Sequence, residues 1–327
     1  MLVPSEIELV WMEAYKFARG EEVISTTGQK TRLAVPLDFI VIADHSDGMG
    51  LFPGLLAGDE ILMKYPLFKK WNVMLNEGKG GEVAIDLITN FSQGTFPIKT
   101  NSPELMVPVW KSVVDAAEKY NEPGKFTAFI GYEWTSLIKG NNLHRNVIYR
   151  DNGDKAITQL PYTNEDSSDP EKLWENLASY EERTGGQVLA IPHNGNLSNG
   201  MMFMEETISG SEFDESYLKK RAKWEPLYEV TQIKGDGEAH PFLSPNDEFA
   251  DYETWDNSIG ATELKTVWTD EDFDPALEAF YYVRVLEIPT PRWTLYDVVR
   301  FGAKMDKEVP MTQTERGYTS PIWYSPK

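Results

Sequence analysis

Leu37-Asp-Phe-Ile-Val-Ile-Ala-Asp-His-Ser-Asp-Gly-Met-Gly50 decides the fold class. Its first half, Leu37–Ala43, is a short β-branched run of the kind that forms a buried strand, and it stops at the polar Asp44-His45-Ser46-Asp47. The same pattern recurs. Phe126–Tyr132 follows a Pro123-Gly124 turn, Asn146–Tyr149 is a third candidate strand, Gln187–Ile191 a fourth and Tyr228–Ile233 a fifth. Between them lie helical stretches. Pro103–Tyr120 carries Leu105, Val109, Val113, Ala116 and Tyr120 on one stripe. Asp169-Pro170 is a cap with proline at the first helical position, and Gly185-Gly186 ends the helix whose apolar face holds Leu173, Trp174, Leu177 and Tyr180. Asp214–Lys223, Pro275–Leu286 and Trp293–Phe301 also read as helical. This alternation predicts an α/β fold with a parallel sheet and crossover helices, in a single domain over 1–327. Residues 51–101 read as a helical stretch followed by an insertion.

The chain has 327 residues, 31 basic and 52 acidic, for a formal charge of −21. With 41% hydrophobic residues it can bury a large core, which excludes global disorder. The acidity argues against a nucleic-acid partner, whose phosphates need a basic footprint. A small anionic substrate stays open if bound cations invert the local field. No apolar run reaches the length of a membrane span, and Met1–Trp11 lacks the basic start and apolar middle of a signal peptide. Zero cysteine excludes thiolate metal sites and a cysteine nucleophile.

The chain has four histidines, and each falls beside a candidate strand. His45 follows the first, His193 the fourth, and His240 comes after the fifth and the acidic Asp236-Gly-Glu238; His144 opens the third. Glu133 ends the second. A single histidine, or a single strand-end glutamate, is more often structural than a ligand. The shared setting of the whole set lowers that expectation, because α/β folds collect their chemistry at strand ends. Imidazole and carboxylate without thiolate suit zinc, manganese, iron or nickel. Six candidates, His45, Glu133, His144, His193, Glu238 and His240, exceed one tetrahedral zinc, so two ions sharing Glu133 would be natural. There is no Walker loop, dinucleotide fingerprint or Gly-x-Ser-x-Gly elbow.

At these residues the sequence resembles the polymerase and histidinol phosphatase (PHP) superfamily, and more closely the bacterial PHP-like family catalogued as domain of unknown function (DUF) 3604. The similarity lies in Leu37–Gly50, Phe129–Arg150, Ile191–Phe203, Val230–Asp251 and Arg284–Pro326, and extends from about Glu13 to the end. The resemblance implies a distorted seven-stranded β/α barrel with two or three divalent ions. It implies His45 as the histidine of the Asp-His pair, Glu133 as the bridging carboxylate, His144 and His193 as mid-chain ligands, and Glu238 and His240 as the closing acidic-x-His pair. The superfamily opens with a His-x-His strand. No histidine precedes His45, and residues 1–12 are atypical, so the expectation is a barrel lacking its first strand and any leader that preceded it.

The function expected on this basis is metal-dependent hydrolysis of a phosphate ester or related sulfate ester, with a metal-activated water. Arg145 either steadies a substrate oxygen through its fork of donors or makes an outward surface ion pair. Asn194 and Asn196 offer neutral hydrogen bonds, although Asn194-Gly195 is also an ordinary turn signal. Lys139, Arg284 and Arg292 are weaker candidates for anion contacts. Two other readings stay open: a catalytically impaired remnant with partial metal binding, and, behind it, a carbohydrate-active or glycan-binding protein suggested by ten tryptophans.

Overall fold

The first four apolar runs read from the sequence form one open sheet. In the computed structural model, which describes residues 4–25, 28–229, 231–232, 235–236, 245–246, 267–271, 273–286, 290–307, 309–313, 316–319 and 322–326, contacts divide the chain into two compact units, 1–237 and 238–327. The first unit opens with helix α1 (Pro4–Ala18), followed by strand β1 (Phe39–Ile42). Helices α2 (Leu51–Ala57), α3 (Pro66–Asn76), α4 (Gly80–Gln93) and α5 (Pro103–Tyr120) come next. Strands β2 (Thr127–Trp134) and β3 (Arg145–Tyr149), helix α6 (Pro170–Thr184), strand β4 (Val188–Pro192) and helix α7 (Glu215–Trp224) complete the series.

The sheet order follows the chain, β1-β2-β3-β4. β1 is parallel to β2, with Phe39 opposite Thr127 and Ile42 opposite Ile130. β3 is antiparallel to both neighbours, with Trp134 opposite Arg145 and Arg145 opposite Pro192. The fold is therefore mixed α/β, and the expected all-parallel sheet is corrected at β3. The cause lies in the connection. Between β2 and β3, Leu137–Ile138 pairs with Asn141–Asn142, and the two residues at the tip, Lys139 (φ 51°) and Gly140 (φ 84°), both take the positive φ of a tight hairpin turn. A two-residue hairpin can only reverse the chain, whereas β1–β2 and β3–β4 are joined through helices. Among the described residues the four strands do not close into a barrel.

The local signals of α6 act as expected. Asp169 accepts the Glu171 amide at 2.9 Å, Pro170 begins the helix, and Gly185 ends it at φ 62°. The buried faces of α5 (Trp110, Val113, Val114) and α6 (Leu173, Trp174, Leu177, Tyr180) join Tyr132, Trp134 and Tyr149 of the sheet in the main core. The segment after β1 folds around a second cluster, Leu51, Leu55, Leu62, Phe68, Trp71 and Val83, closed by Leu105.

In the second unit, Ala279–Tyr281 pairs with Ile322–Tyr324, and Arg284–Leu286 with Arg316–Tyr318. The expected helix over Pro275–Leu286 is thus two strands. Phe280-Tyr-Tyr-Val-Arg-Val285 is rich in aromatic and β-branched residues, whose strand preference wins over the helical spacing. Trp293–Phe301 is a helix, as its sequence indicates. Within the fifth candidate strand only Thr231–Gln232 forms a strand among the described residues, paired with Gly235–Asp236 outside the main sheet.

β2 can lie flat between its neighbours only because residue 131 is glycine. A Cβ there would stand 2.6 Å from the Val147 carbonyl oxygen and 2.6 Å from Val41 Cγ2. A backbone carbonyl in a central ladder has no room to retreat. Gly131→Ala is expected to lower stability by about 1–3 kcal/mol, read as a shift in the denaturant midpoint. Gly81→Ala, in α4 with nothing within 4 Å of the new Cβ, should hold or raise that midpoint.

Candidate metal centre

The reversal of β3 brings the sequence-separated candidates to one edge. β1, β2 and β4 run in the same direction, so His45, Glu133 and His193 lie at their carboxyl ends, while His144 immediately precedes the antiparallel β3. Main-chain pairing of β1 with β2 continues past Ile42. The Glu133 amide donates to Asp44 O at 2.8 Å and the Ser46 amide to Glu133 O at 2.8 Å, which sets His45 opposite Glu133. The His193 amide donates to His144 O at 2.9 Å, so these two are fixed by backbone as well. Trp11 of α1 adds an indole bond to Asp44 Oδ2 at 2.7 Å.

Glu133 is the hub. Its Oε1 lies 2.7 Å from His144 Nδ1 and 3.6 Å from His193 Nε2, and its Oε2 lies 3.5 Å from His45 Nδ1. One ligand atom from each of His45, Glu133 and His144 falls within 4.8 Å of the others, a group able to hold a metal ion. Burial pushes the Glu133 carboxyl upward, but the His144 hydrogen bond and the charges of His45, His144 and His193 outweigh it and hold it below its ordinary value. Burial lowers the His144 imidazole, and the neighbouring His45 and His193 add to this against the pull of Glu133. An ionised carboxylate beside a neutral imidazole is the protonation state that metal ligation requires. In addition, His144 Nε2 is buried without a hydrogen-bond partner among the described residues. That nitrogen is a free donor position of the kind a cation fills.

Surrounding groups lock the centre in place. His45 Nδ1 meets Thr135 Oγ1 at 2.6 Å, and that hydroxyl also reaches Glu133 O at 3.2 Å. Asp47, two residues beyond His45, accepts the Asn164 amide at 2.8 Å and the Thr135 amide at 3.2 Å. Burial pushes its carboxyl up to about 7 against the pull of those two amides.

The remaining sequence candidates fall in different places. Asn194 is buried in the left-handed region (φ 61°), with its side-chain nitrogen 3.0 Å from His144 Nδ1. It therefore supports a candidate ligand and also makes the turn that its Asn-Gly pair signals. Asn196 is exposed on the short 3₁₀ turn Gly195–Leu197. Lys139 sits exposed at the hairpin tip. Arg284 and Arg292 belong to the second unit. Glu238 and His240 lie outside the described residues.

Arg145 follows neither expectation. It is 2% exposed, its Nε donates to Glu225 at 2.9 Å, its Nη1 donates to Leu143 O at 2.6 Å, and its guanidinium lies over the Trp134 ring. Glu225 also accepts the Trp174 indole at 2.9 Å. The pair ties β3 to α6 and the end of α7. Sequence reading missed Glu225, and it missed Glu229, whose Oε1 lies 2.5 Å from His193 Nδ1. The signal for Glu229 was a carboxylate inside the fifth candidate strand, where an unpaired charge has no place.

A family model described as protein of unknown function (DUF3604) matches residues 5–259 and 254–326. The chain belongs to this family. The match begins upstream of Glu13 and takes in most of α1, so the stretch read as atypical is part of the DUF3604 region. Comparison with curated proteins and with solved structures finds no match. No described helix of this DUF3604 chain is long and apolar enough to cross a membrane.

Replacing Arg145 with methionine removes the nearer cation from the Glu225 carboxylate, 1% exposed, and leaves it the Trp174 indole and Arg221 at 3.7 Å. Arg145→Met is expected to cost about 3–5 kcal/mol, measured by chemical denaturation.

Proposed function

We propose that this chain is a metal-dependent hydrolase acting on phosphate esters or related sulfate esters. The reading is carried by one observation, the buried Glu133 carboxylate held among His45, His144 and His193. The resemblance to the PHP superfamily supports it, and with it a seven-stranded barrel to which β1–β4 would belong, containing two or three ions of zinc, manganese or iron.

His45, Glu133, His144 and His193 would hold the ions. Bound divalent ions supply Lewis acidity toward an ester oxygen and make water acidic enough to act near neutral pH. The chain's own residues supply placement. Backbone pairing at Asp44–Ser46 and at His144–His193 fixes the donors before any substrate arrives. The Asn194 side chain packs against the His144 ring, whose Nδ1 is bonded to Glu133. Arg145 is buried and bonded to Glu225 and Leu143 O, which gives it a bracing role in this reading.

Purified protein, stripped with chelator and reloaded with zinc or manganese, is expected to hydrolyse at least one member of a panel of phosphomonoesters, phosphodiesters and sulfate esters. Glu133→Gln removes the shared charge and should lower turnover by about 100-fold or more, equivalent to about 2.7 kcal/mol of lost stabilisation. Turnover that survives exhaustive chelation would exclude the metal role. Elemental analysis finding no ion in the reloaded wild type would exclude it too.

A further inference from the structure

Glu229 clamps the two residues that follow β4. Its Oε1 meets His193 Nδ1 at 2.5 Å, and its Oε2 accepts the Asn194 amide at 2.9 Å. The Glu229 amide in turn donates to Pro192 O at 3.4 Å, so the contact runs in both directions between the 229 loop and the strand end. The left-handed turn at Asn194 is what aims its amide at the carboxylate. Only 18% of the Glu229 side chain is exposed.

A carboxylate within bonding distance of an imidazole nitrogen requires a proton between them. With that proton on Nδ1, the Nε2 lone pair of a neutral ring is left over, and it faces Glu133 Oε1 at 3.6 Å. Two bare acceptors repel at that distance. Two ligands of one ion, each at about 2.1 Å and subtending a tetrahedral angle, stand about 3.4 Å apart. The separation therefore suits two donors to a common cation. By contrast, the 2.7 Å from His144 Nδ1 to Glu133 is a direct hydrogen-bond length.

We propose that Glu229 is a positioning residue, which holds the proton on His193 Nδ1 and so presents His193 Nε2 as a metal donor beside Glu133. The role rests on the metal-centre reading above and deepens it. Carboxylates behind histidine ligands fix the tautomer and ring orientation and raise the basicity of the ligating nitrogen. Glu229 also sets the Asn194 turn, and Asn194 contacts His144. One carboxylate thereby orients two candidate ligands.

The test combines long-range ¹H–¹⁵N spectra of the histidine rings in the metal-free protein with calorimetric titration by zinc. A His193→Gln spectrum assigns the signals. In the wild type, His193 is expected to carry its proton on Nδ1. In Glu229→Ala that proton should redistribute to Nε2, and zinc affinity should fall by about 10–100-fold. Glu229→Gln keeps the shape and one acceptor, so it should fall between the two; it carries the test if the alanine variant does not fold. A His193 tautomer that is the same in the wild type and in both variants would overturn the proposal, as would unchanged zinc affinity. A wild type that binds no zinc while Glu229 still sets the tautomer would overturn the metal reading instead.

Discussion

The first unit is organised around one carboxylate that has to stay charged while buried. Glu133 sits at the end of β2, 7% exposed, between the continuation of β1 and the start of β3. An ionised carboxylate in such a place costs several kcal/mol unless opposite charge and hydrogen bonds surround it. Three imidazoles approach it, but burial holds the His144 ring below its ordinary value and thus toward the neutral form. A neutral ring donates one hydrogen bond and brings no charge. The His144 hydrogen bond and the neighbouring imidazoles offset part of that cost, and on the metal-centre reading a bound cation would offset more.

The direction of β3 is what makes the cluster possible. In a purely parallel sheet a residue that precedes a strand lies at the opposite edge from residues that follow the others. His144 precedes its strand, whereas His45 and His193 follow theirs. The hairpin at Lys139-Gly140 reverses the chain and moves His144 to the common edge. Gly131 then lets β2 lie close to both neighbours, two residues before Glu133. Register, turn and glycine are thus parts of one arrangement, since a slip of one residue in β2 would turn the Glu133 side chain to the other face.

What could be read from the sequence was local. The Asp169-Pro170 start and Gly185 end of α6, and the placing of His45, His144 and His193 beside strands, are set within a few residues, and the structure follows them. The run Leu37–Ala43 does form a strand, but at the sheet edge with Phe39 exposed and Ile40–Ile42 half-buried, not the buried strand its composition suggests. The β3 direction was within reach too, because Lys139-Gly140 is a hairpin signal and a polar residue opening a strand fits a reversed one. Partners distant in sequence were beyond reach. Arg145 finds Glu225 eighty residues away, and nothing next to His144 indicates that its neighbour's charge is already neutralised. Glu229 is hidden for the same reason, since its role is defined only by where His193 ends up. Over Pro275–Leu286, helical spacing and strand composition coincide, and cross-strand pairing decides the outcome.

The charge of −21 acquires a more definite meaning from Arg145. Were that guanidinium exposed beside His144, it could attract an anionic ester on its own. Its partnership with Glu225, both side chains at 3% exposure or less, removes it as an anchor and turns it into a brace between β3 and the helices behind it. An anion approaching this edge meets Glu133, Asp44 and Glu229, together with the field of an acidic chain. On the hydrolase reading, the ions must therefore attract the substrate as well as activate it. That dependence makes the outer contacts consequential: Thr135 behind His45, Asn194 behind His144 and Glu229 behind His193. Each holds a ring whose orientation governs how tightly the compensating cation is kept, so a change at any of them would weaken substrate attraction without touching the substrate.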